Sequence, residues 1–264
     1  MPRVGILILS CSHTDYQQFK DAQRNSWVKD FESINLPVHF VEGVSTLAAA
    51  TDLGVLANYS IRGDTIDVGC KDTLDDSFSK TMAGLDYMFS VLKCDVVLRT
   101  NLSSFLDVEM FKRYIINNII DSRTYCGVVG KTNLGRESSF IRGNRIMTKL
   151  LLYRRSILYF ASGACFFIGS AVFNEILKCD KKKNLIDDVA ISLNGAQQFL
   201  TKKEFPRLWV NSLIRGTDRK LYDRFIALDG FHYRFKSDFR DVDAIILSQF
   251  SNIKFRQEWL QVRD

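Results

Sequence analysis

The chain is poor both in the residues that build metal centres and in those that interrupt a fold. Its 264 residues include 3 histidines and 6 cysteines, and no two cysteines form a C-x-x-C pair. No zinc site is expected, and His13, His39 and His232 are too scattered to supply one together. Cys11, Cys70, Cys94, Cys126, Cys165 and Cys179 lie mostly in or beside apolar runs and read as buried, reduced thiols. With 3 prolines and no Gly/Ser tract, the sequence shows no linker, internal repeat or low-complexity segment, so a single domain over 1–264 is expected. No apolar run is long enough for a signal peptide or membrane anchor, and Met1-Pro2-Arg3-Val4-Gly5-Ile6 enters a strand directly. The expectation is a soluble, cytoplasmic protein with no transmembrane segment. The net charge of +6, from 36 basic and 30 acidic residues, suits an anionic small molecule or polyanion. No basic region carries a helix-turn-helix, zinc-finger or RNA-recognition pattern, so no nucleic-acid partner is expected.

What the chain does have is apolar and aromatic material, 46% and 12% with 20 phenylalanines, enough for a well-packed globular core. Short apolar runs at 4–9, 37–41, 64–66, 96–99, 125–129 and 158–168 read as strands. Helical spacing marks 16–29, 108–120, 170–178, 187–200 and 242–250, and 46–58 is helical or irregular. The clearest amphipathic helix is 77–92, with Phe78, Met82, Leu85, Met88, Phe89 and Leu92 on one stripe. Alternating strands and helices with long crossovers predict an α/β fold built on a doubly wound sheet. Ligands of such sheets bind beyond the carboxyl ends of the strands. That places Ser10, Ser12 and the Arg99–Ser104 turn on one rim.

Residues 131–155 carry seven basic side chains against one acid, Glu137. They read either as a basic lid beside that rim or as a solvated surface loop. The basic run Lys181-Lys182-Lys183 reads as a solvated loop. Three further groups are candidates for chemistry. Asp187-Asp188 opens a helix, where capping is the plain explanation; a catalytic role requires that the pair face the Arg99 turn. In an extended His232-Tyr233-Arg234-Phe235-Lys236, the three basic side chains share one face, suiting either a diphosphate or solvent. Arg24 stands one helical turn before Trp27, as a packing pair or at the nucleotide rim. Finally, Val96 to Phe105 reads as a buried strand entering a polar turn. Turns of this kind often carry clustered aspartates that hold a divalent cation against a diphosphate. Here the cluster is Asn101-Leu102-Ser103.

Taken in order, these segments resemble the β-1,3-galactosyltransferase and N-acetylglucosaminyltransferase superfamily, including the Fringe-like enzymes. The resemblance runs through Arg24 to Trp27, the acidic stretch before Lys80-Thr81, the turn Leu98 to Phe105, Tyr159 to Phe166 around Ser162-Gly163, and Asp187-Asp188-Val189. It covers roughly residues 4–200. It implies a single GT-A type domain with a mixed sheet, a nucleotide-binding half at about 1–105 and an acceptor-side half at about 106–264. It also implies an inverting enzyme that moves a sugar from a UDP-sugar to a glycan hydroxyl, with Asp188 as the general base and Asp187 beside it. Donor-binding residues would be Ser10, Ser12, Arg24, Lys80, Arg99, Thr100, Asn101, Ser162, Gly163, His232, Arg234 and Lys236.

The departure from the family is the missing acids. Neutral Asn101 and Ser103 bind Mg²⁺ or Mn²⁺ poorly and Leu102 not at all. Either the enzyme works without metal, with His232, Arg234, Lys236 and Arg99 meeting the leaving UDP, or it is an inactive UDP-sugar or glycan-binding descendant. The first reading is favoured, because a base and a set of cations are both present, and no cofactor is expected. Stand-alone members resemble enzymes of bacteria and large viruses, viral β-xylosyltransferases among them, which would place a viral member in the host cytoplasm. Galactose, N-acetylglucosamine and xylose all remain open as the transferred sugar.

Overall fold

The computed structural model describes residues 2–46, 58–133, 157–179, 185–201, 205–210 and 219–260. Most of the expected segment 46–58, all of the excursion 131–155 beyond its first three residues, and Lys181-Lys182-Lys183 lie outside the described residues. Within them a seven-stranded sheet has the order β3-β4-β2-β1-β5-β8-β7. Its strands are β1 (Val4–Leu9), β2 (Val38–Gly43), β3 (Tyr59–Arg62), β4 (Thr65–Val68), β5 (Val96–Asn101), β7 (Tyr125–Asn133) and β8 (Ile157–Gly169). The strands β4, β2, β1 and β5 run parallel, as the long crossovers predict, while β3, β8 and β7 join antiparallel. The sheet is therefore mixed: β3 and β8 run against the parallel centre, and the edge strand β7 runs with it.

Alternation along the strands divides the core into two layers. Ile6, Ile8, Val96, Leu98 and Phe167 pack on one face. Leu7, Val97, Phe166 and Ile168 pack on the other, against Met82 and Leu85 of α3 (Ser77–Asp86), Met88 just beyond it, and Phe173 and Ile176 of α5 (Ser170–Leu177). Successive strand residues point to opposite faces, so continuous apolar runs such as Val4–Leu9 mean cover on both. The expected helices form, with interruptions. The first breaks into α1 (Gln17–Gln23), a π-turn at Arg24–Val28 that includes non-helical Ser26, and α2 (Lys29–Glu32). Residues 87–91 continue α3 as a second π-turn. The helix expected over 187–200 stops after α6 (Asp187–Leu193), because Gly195 adopts φ +109°, a left-handed conformation that favours glycine.

A second sheet was only partly legible. It has the order β6-β10-β9, made of β6 (Ser104–Leu106), β10 (His232–Phe235) and β9 (Arg207–Val210). Strand β6 follows directly on the Asn101 turn, so the sequence-distant β10 is carried onto the rim of the main sheet. One face of this small sheet is apolar: Phe105, Tyr233, Phe235, Leu208 and Val210 join the core with Phe250 of α8 (Arg240–Gln249) and Phe225 of α7 (Arg219–Ala227). Between the two sheets, α4 (Val108–Asn117) is capped by the Asp107 carboxylate, which accepts from the backbone N–H groups of Glu109 and Met110 at 3.0 Å each.

The junction of the sheets is fixed from outside. The Gln23 amide donates to the carbonyls of Asn101, Leu102 and Ser104 at 3.1, 3.0 and 2.8 Å, and the Trp27 indole N–H donates to the Ser104 carbonyl at 3.0 Å. Both side chains are fully buried. The interrupted first helix thus supplies the buried donors that a tight turn needs for its outward carbonyls. Trp27→Phe keeps the ring packing and removes one donor. We expect a loss of about 1–3 kcal/mol, seen as a lower urea midpoint with an unchanged slope.

Candidate active site

Ser10 and the Asn101 turn meet at the carboxyl edge of β1 and β5, where Leu9 pairs with Asn101. Across from them β8 passes Ser162 and Gly163, and α6 begins with Asp187 and Asp188. Arg99 ties these elements together. Its side chain is 2% exposed; Nη2 pairs with Asp187 Oδ2, and Nη1 donates to the Gly163 carbonyl. Thr81 donates its hydroxyl to the same Asp187 oxygen at 3.0 Å, and the Asp187 N–H donates to Ser77 Oγ at 3.2 Å. Arg99 is therefore not a free cation for a leaving group, contrary to the expected role: its charge is matched inside the protein.

Asp188 is placed differently. Its Oδ2 accepts from the Gly163 N–H at 2.7 Å and Oδ1 from the Val189 N–H at 2.8 Å, leaving lone pairs for a ligand. Burial, with the Asp187 charge next door, holds its carboxyl above the usual carboxylate range, against the pull of Gly163, Arg99 and Val189. A Cβ at position 163 would stand 3.1 Å from Asp188 Oδ2, so the close approach of carboxylate to backbone favours glycine there. The two acids that spacing alone leaves equivalent thus divide into a paired structural one and an open one.

Asn101, Leu102 and Ser103 build a self-contained turn. The Asn101 Oδ1 accepts from Ser103 N, Ser103 Oγ and Ser104 Oγ at 3.2–3.3 Å, and its amide faces the Gly163 carbonyl at 3.4 Å. Leu102 points into the core at 6% exposure. Thr100 is buried, its hydroxyl 3.3 Å from the Ala164 carbonyl. A divalent cation does not fit this turn, because the central side chain is apolar and inward-facing and the one amide oxygen already has three donors. No three His, Cys, Asp or Glu side chains cluster as a metal site among the described residues.

The remaining expected donor residues separate in the same way. Lys80 is 4% exposed and bonds Asp72 Oδ1 at 2.6 Å and the Ser10 carbonyl at 3.1 Å. Asp72 also accepts from the backbone N–H groups of Ser12 and Gly43. Burial pushes this carboxyl up, but Lys80 and Ser12 outweigh it and hold the group at about 2. Ser10 donates to Glu42 at 2.8 Å, and Glu42 pairs with buried Lys20. Lys80, Ser10 and Ser12 thus shape the rim as one network, with Asp72 the member that sequence reading missed. Arg24 spends its fork on Asp64 at 2.7 and 2.8 Å and lies over the Phe40 ring at 4.6 Å. Arg24 thus packs on Phe40 and pairs with Asp64, and not with Trp27 as the packing alternative had it.

The tail does reach the turn. His232 Nε2 lies 2.9 Å from Ser104 Oγ, Arg234 pairs with Ser104 in the strand register, and the Phe235 N–H donates to the Ser103 carbonyl at 2.8 Å. Its expected triad of cations needs correction. His232 is fully buried, and burial together with Arg234 and Arg207 holds its pKa well below the usual range, so the imidazole is neutral. Lys236 is exposed beyond the end of β10. Arg234 remains: its Nε and Nη1 are buried and have no hydrogen-bond partner among the described residues. Burial, then the charges of Arg240, Arg99 and Arg207, lower its pKa to about 9. Arg207, absent from the sequence-based set, sits beside His232 in the β9–β10 register and donates to Ser162 Oγ at 3.3 Å. The only sequence signal for it was the alternation Arg207-Leu208-Trp209-Val210.

The two aspartates should respond oppositely to neutralisation. Asp187→Asn leaves Arg99 buried without its counter-charge and is expected to lose on the order of 3 kcal/mol or more in urea unfolding. A carboxyl whose folded pKa is raised favours the fold below its unfolded pKa of about 4 and loses that advantage as pH rises through the folded value. Asp188→Asn is therefore expected to match or exceed the wild-type Tm at neutral pH and to flatten the fall in stability as pH rises above about 4.

Residues 19–198 match the model of a family described as galactosyltransferase. Among curated proteins no sequence relative matches the chain. Among solved structures the chain is similar to the galactosyltransferase LgtC, crystallised with donor and acceptor sugar analogs, at 13% identity and TM-score 0.44, covering 98% of this chain and 97% of that one. It is also similar to a glycosyltransferase involved in glycosylation of the major capsid of PBCV-1, at 9% identity and TM-score 0.46, covering 93% and 99%. A third, the bifunctional WbbM glycosyltransferase, aligns at 11% identity and TM-score 0.44, over 98% of this chain and 51% of that one. Among the described residues no helix is long and apolar enough to cross a membrane. The family match spans more than half of the sequence, from α1 through the Asn101 turn, Gly163 and Asp188, and the chain belongs to the galactosyltransferase family.

Proposed function

We propose that the protein is an inverting glycosyltransferase that moves a sugar from a UDP-sugar to a glycan hydroxyl, with Asp188 as general base and without a divalent metal. The observation that carries this reading is the division of the carboxylates. Asp187 is locked to Arg99, whereas Asp188 keeps free lone pairs and a raised pKa on the rim opposite the Asn101 turn. A base performs best when its pKa approaches the working pH, and desolvation moves Asp188 in that direction. In inversion it takes the proton of the acceptor hydroxyl as that oxygen bonds to the anomeric carbon. The bond to the UDP oxygen breaks on the opposite face, and the electron pair leaves with UDP.

That departing pair needs positive charge already in place, since preorganised charge stabilises charge as it develops. Family relatives with acidic turns would use a cation there, and this turn does not fit one. Arg234 supports the metal-free reading, as a buried guanidinium on the strand paired to Ser104. A binding protein without turnover would need no base with free lone pairs.

Asp188→Asn is expected to lower turnover on the order of 10²–10⁴-fold while leaving UDP affinity in calorimetry near wild type. Near-normal transfer by this variant would reject the assignment. Transfer should persist in excess EDTA, and strict Mn²⁺ dependence of UDP release would reject the metal-free part alone. UDP binding with no UDP release from any UDP-sugar would instead identify a sugar-nucleotide-binding protein.

A further inference from the structure

The small sheet turns one polar face toward the rim, and its charge is unbalanced. Parallel pairing sets His232 beside Arg207 and Arg234 beside Trp209, so both guanidiniums stand on one face of adjacent strands. Neighbouring arginines are each matched by a carboxylate: Arg99 by Asp187, Arg240 by Asp243, Arg256 by Asp107 and Arg24 by Asp64. Arg207 and Arg234 have no carboxylate partner among the described residues. Arg207 touches a neutral hydroxyl, Ser162, and lies 4.9 Å from the Trp209 ring centroid. Arg234 leaves two buried donor atoms, and His232, a neutral ring between the two arginines, leaves its Nδ1, without a hydrogen-bond partner among the described residues.

Two half-buried like charges repel each other, and buried donors without acceptors cost free energy. A fold that keeps both is suited to an anion with charge on two centres, arriving from the cleft. Guanidinium forks fit phosphate oxygens in a bidentate manner, which a lysine, as a point charge, does not. Ser162, which holds Arg207, adjoins Gly163 and thereby Asp188, so the anion site borders the base.

Resting on the UDP-sugar reading above, we propose that Arg207 and Arg234 together form a two-guanidinium diphosphate site that takes the place of the metal. Arg207 is then a donor-binding residue outside the family-matched segment 19–198, supplied by the small sheet rather than by the acidic turn. The site should distinguish a diphosphate from a monophosphate, because only the former spans both arginines.

The test is calorimetry of UDP and UMP with EDTA present, on wild type, Arg207→Lys and Arg207→Met, the last keeping an apolar stem over Trp209. Wild type is expected to bind UDP on the order of tenfold or more tighter than UMP. Arg207→Met should bring UDP down to the UMP level with UMP affinity unchanged, and Arg207→Lys should fall between. Inorganic pyrophosphate should raise the Tm of wild type and not that of Arg207→Met, a readout independent of nucleotide and turnover. An unchanged UDP-to-UMP ratio in a folded Arg207→Met would overturn this proposal and leave the glycosyltransferase reading intact, as would equal pyrophosphate shifts in both proteins or UDP binding only with Mn²⁺. Failure of wild type to bind either nucleotide, with or without Mn²⁺, would count against the UDP-sugar reading itself.

Discussion

A guanidinium and a carboxylate, each 2% exposed, sit at the centre of this molecule. Desolvating two such charges is expensive, and the cost is recovered only where geometry and extra hydrogen bonds are good. Arg99 and Asp187 meet that condition through Thr81, the Gly163 carbonyl and the Phe166 ring 5.6 Å beneath the guanidinium. One pair thereby links β5, β8, α3 and α6. Because Asp187 is fixed, the next residue along the helix is fixed too, and Asp188 reaches the Gly163 N–H. The electrostatics of the site follow from the same bond. Asp187, though paired, still raises its neighbour, while Arg99 offsets part of that effect.

The site combines two surfaces of different origin. The rim of the main sheet, with the start of α6, presents the open carboxylate of Asp188, and the small sheet presents positive charge that no carboxylate among the described residues balances. Strand β6 connects them without a linker, since it starts three residues beyond Asn101. The turn between them is organised by its own hydrogen bonds and by Gln23 and Trp27 from behind. Charge on the two surfaces has been sorted by burial: Lys80 and Arg24 are neutralised by nearby acids, His232 by desolvation, and Arg234 by nothing among the described residues.

Strong periodicity made much of the fold legible. The apolar runs 4–9 and 96–99 and the stripe of 77–92 became strands and a helix because they are covered on the faces their patterns require. Breaks within helices were not legible, since the π-turns at 24–28 and 87–91 follow from packing rather than propensity. The reversal of β8 and the existence of β9 depend on which strand lies alongside, a property of the tertiary fold. At the site, Asp188 emerged through resemblance, and the family match covers its segment. The protonation of His232 was illegible, because burial and two neighbouring arginines decide it. Asp72 was hidden among other loop acids, and Arg207 in a four-residue strand with no motif.

Leu102 decides which way the turn can face. Its side chain lies among the apolar residues that join both sheets, so an aspartate there would enter hydrocarbon rather than the cleft, where ionisation is costly. A single substitution at position 102 would therefore not turn an oxygen toward the cleft; the backbone of the turn would have to rotate first, against the grip of Gln23 and Trp27.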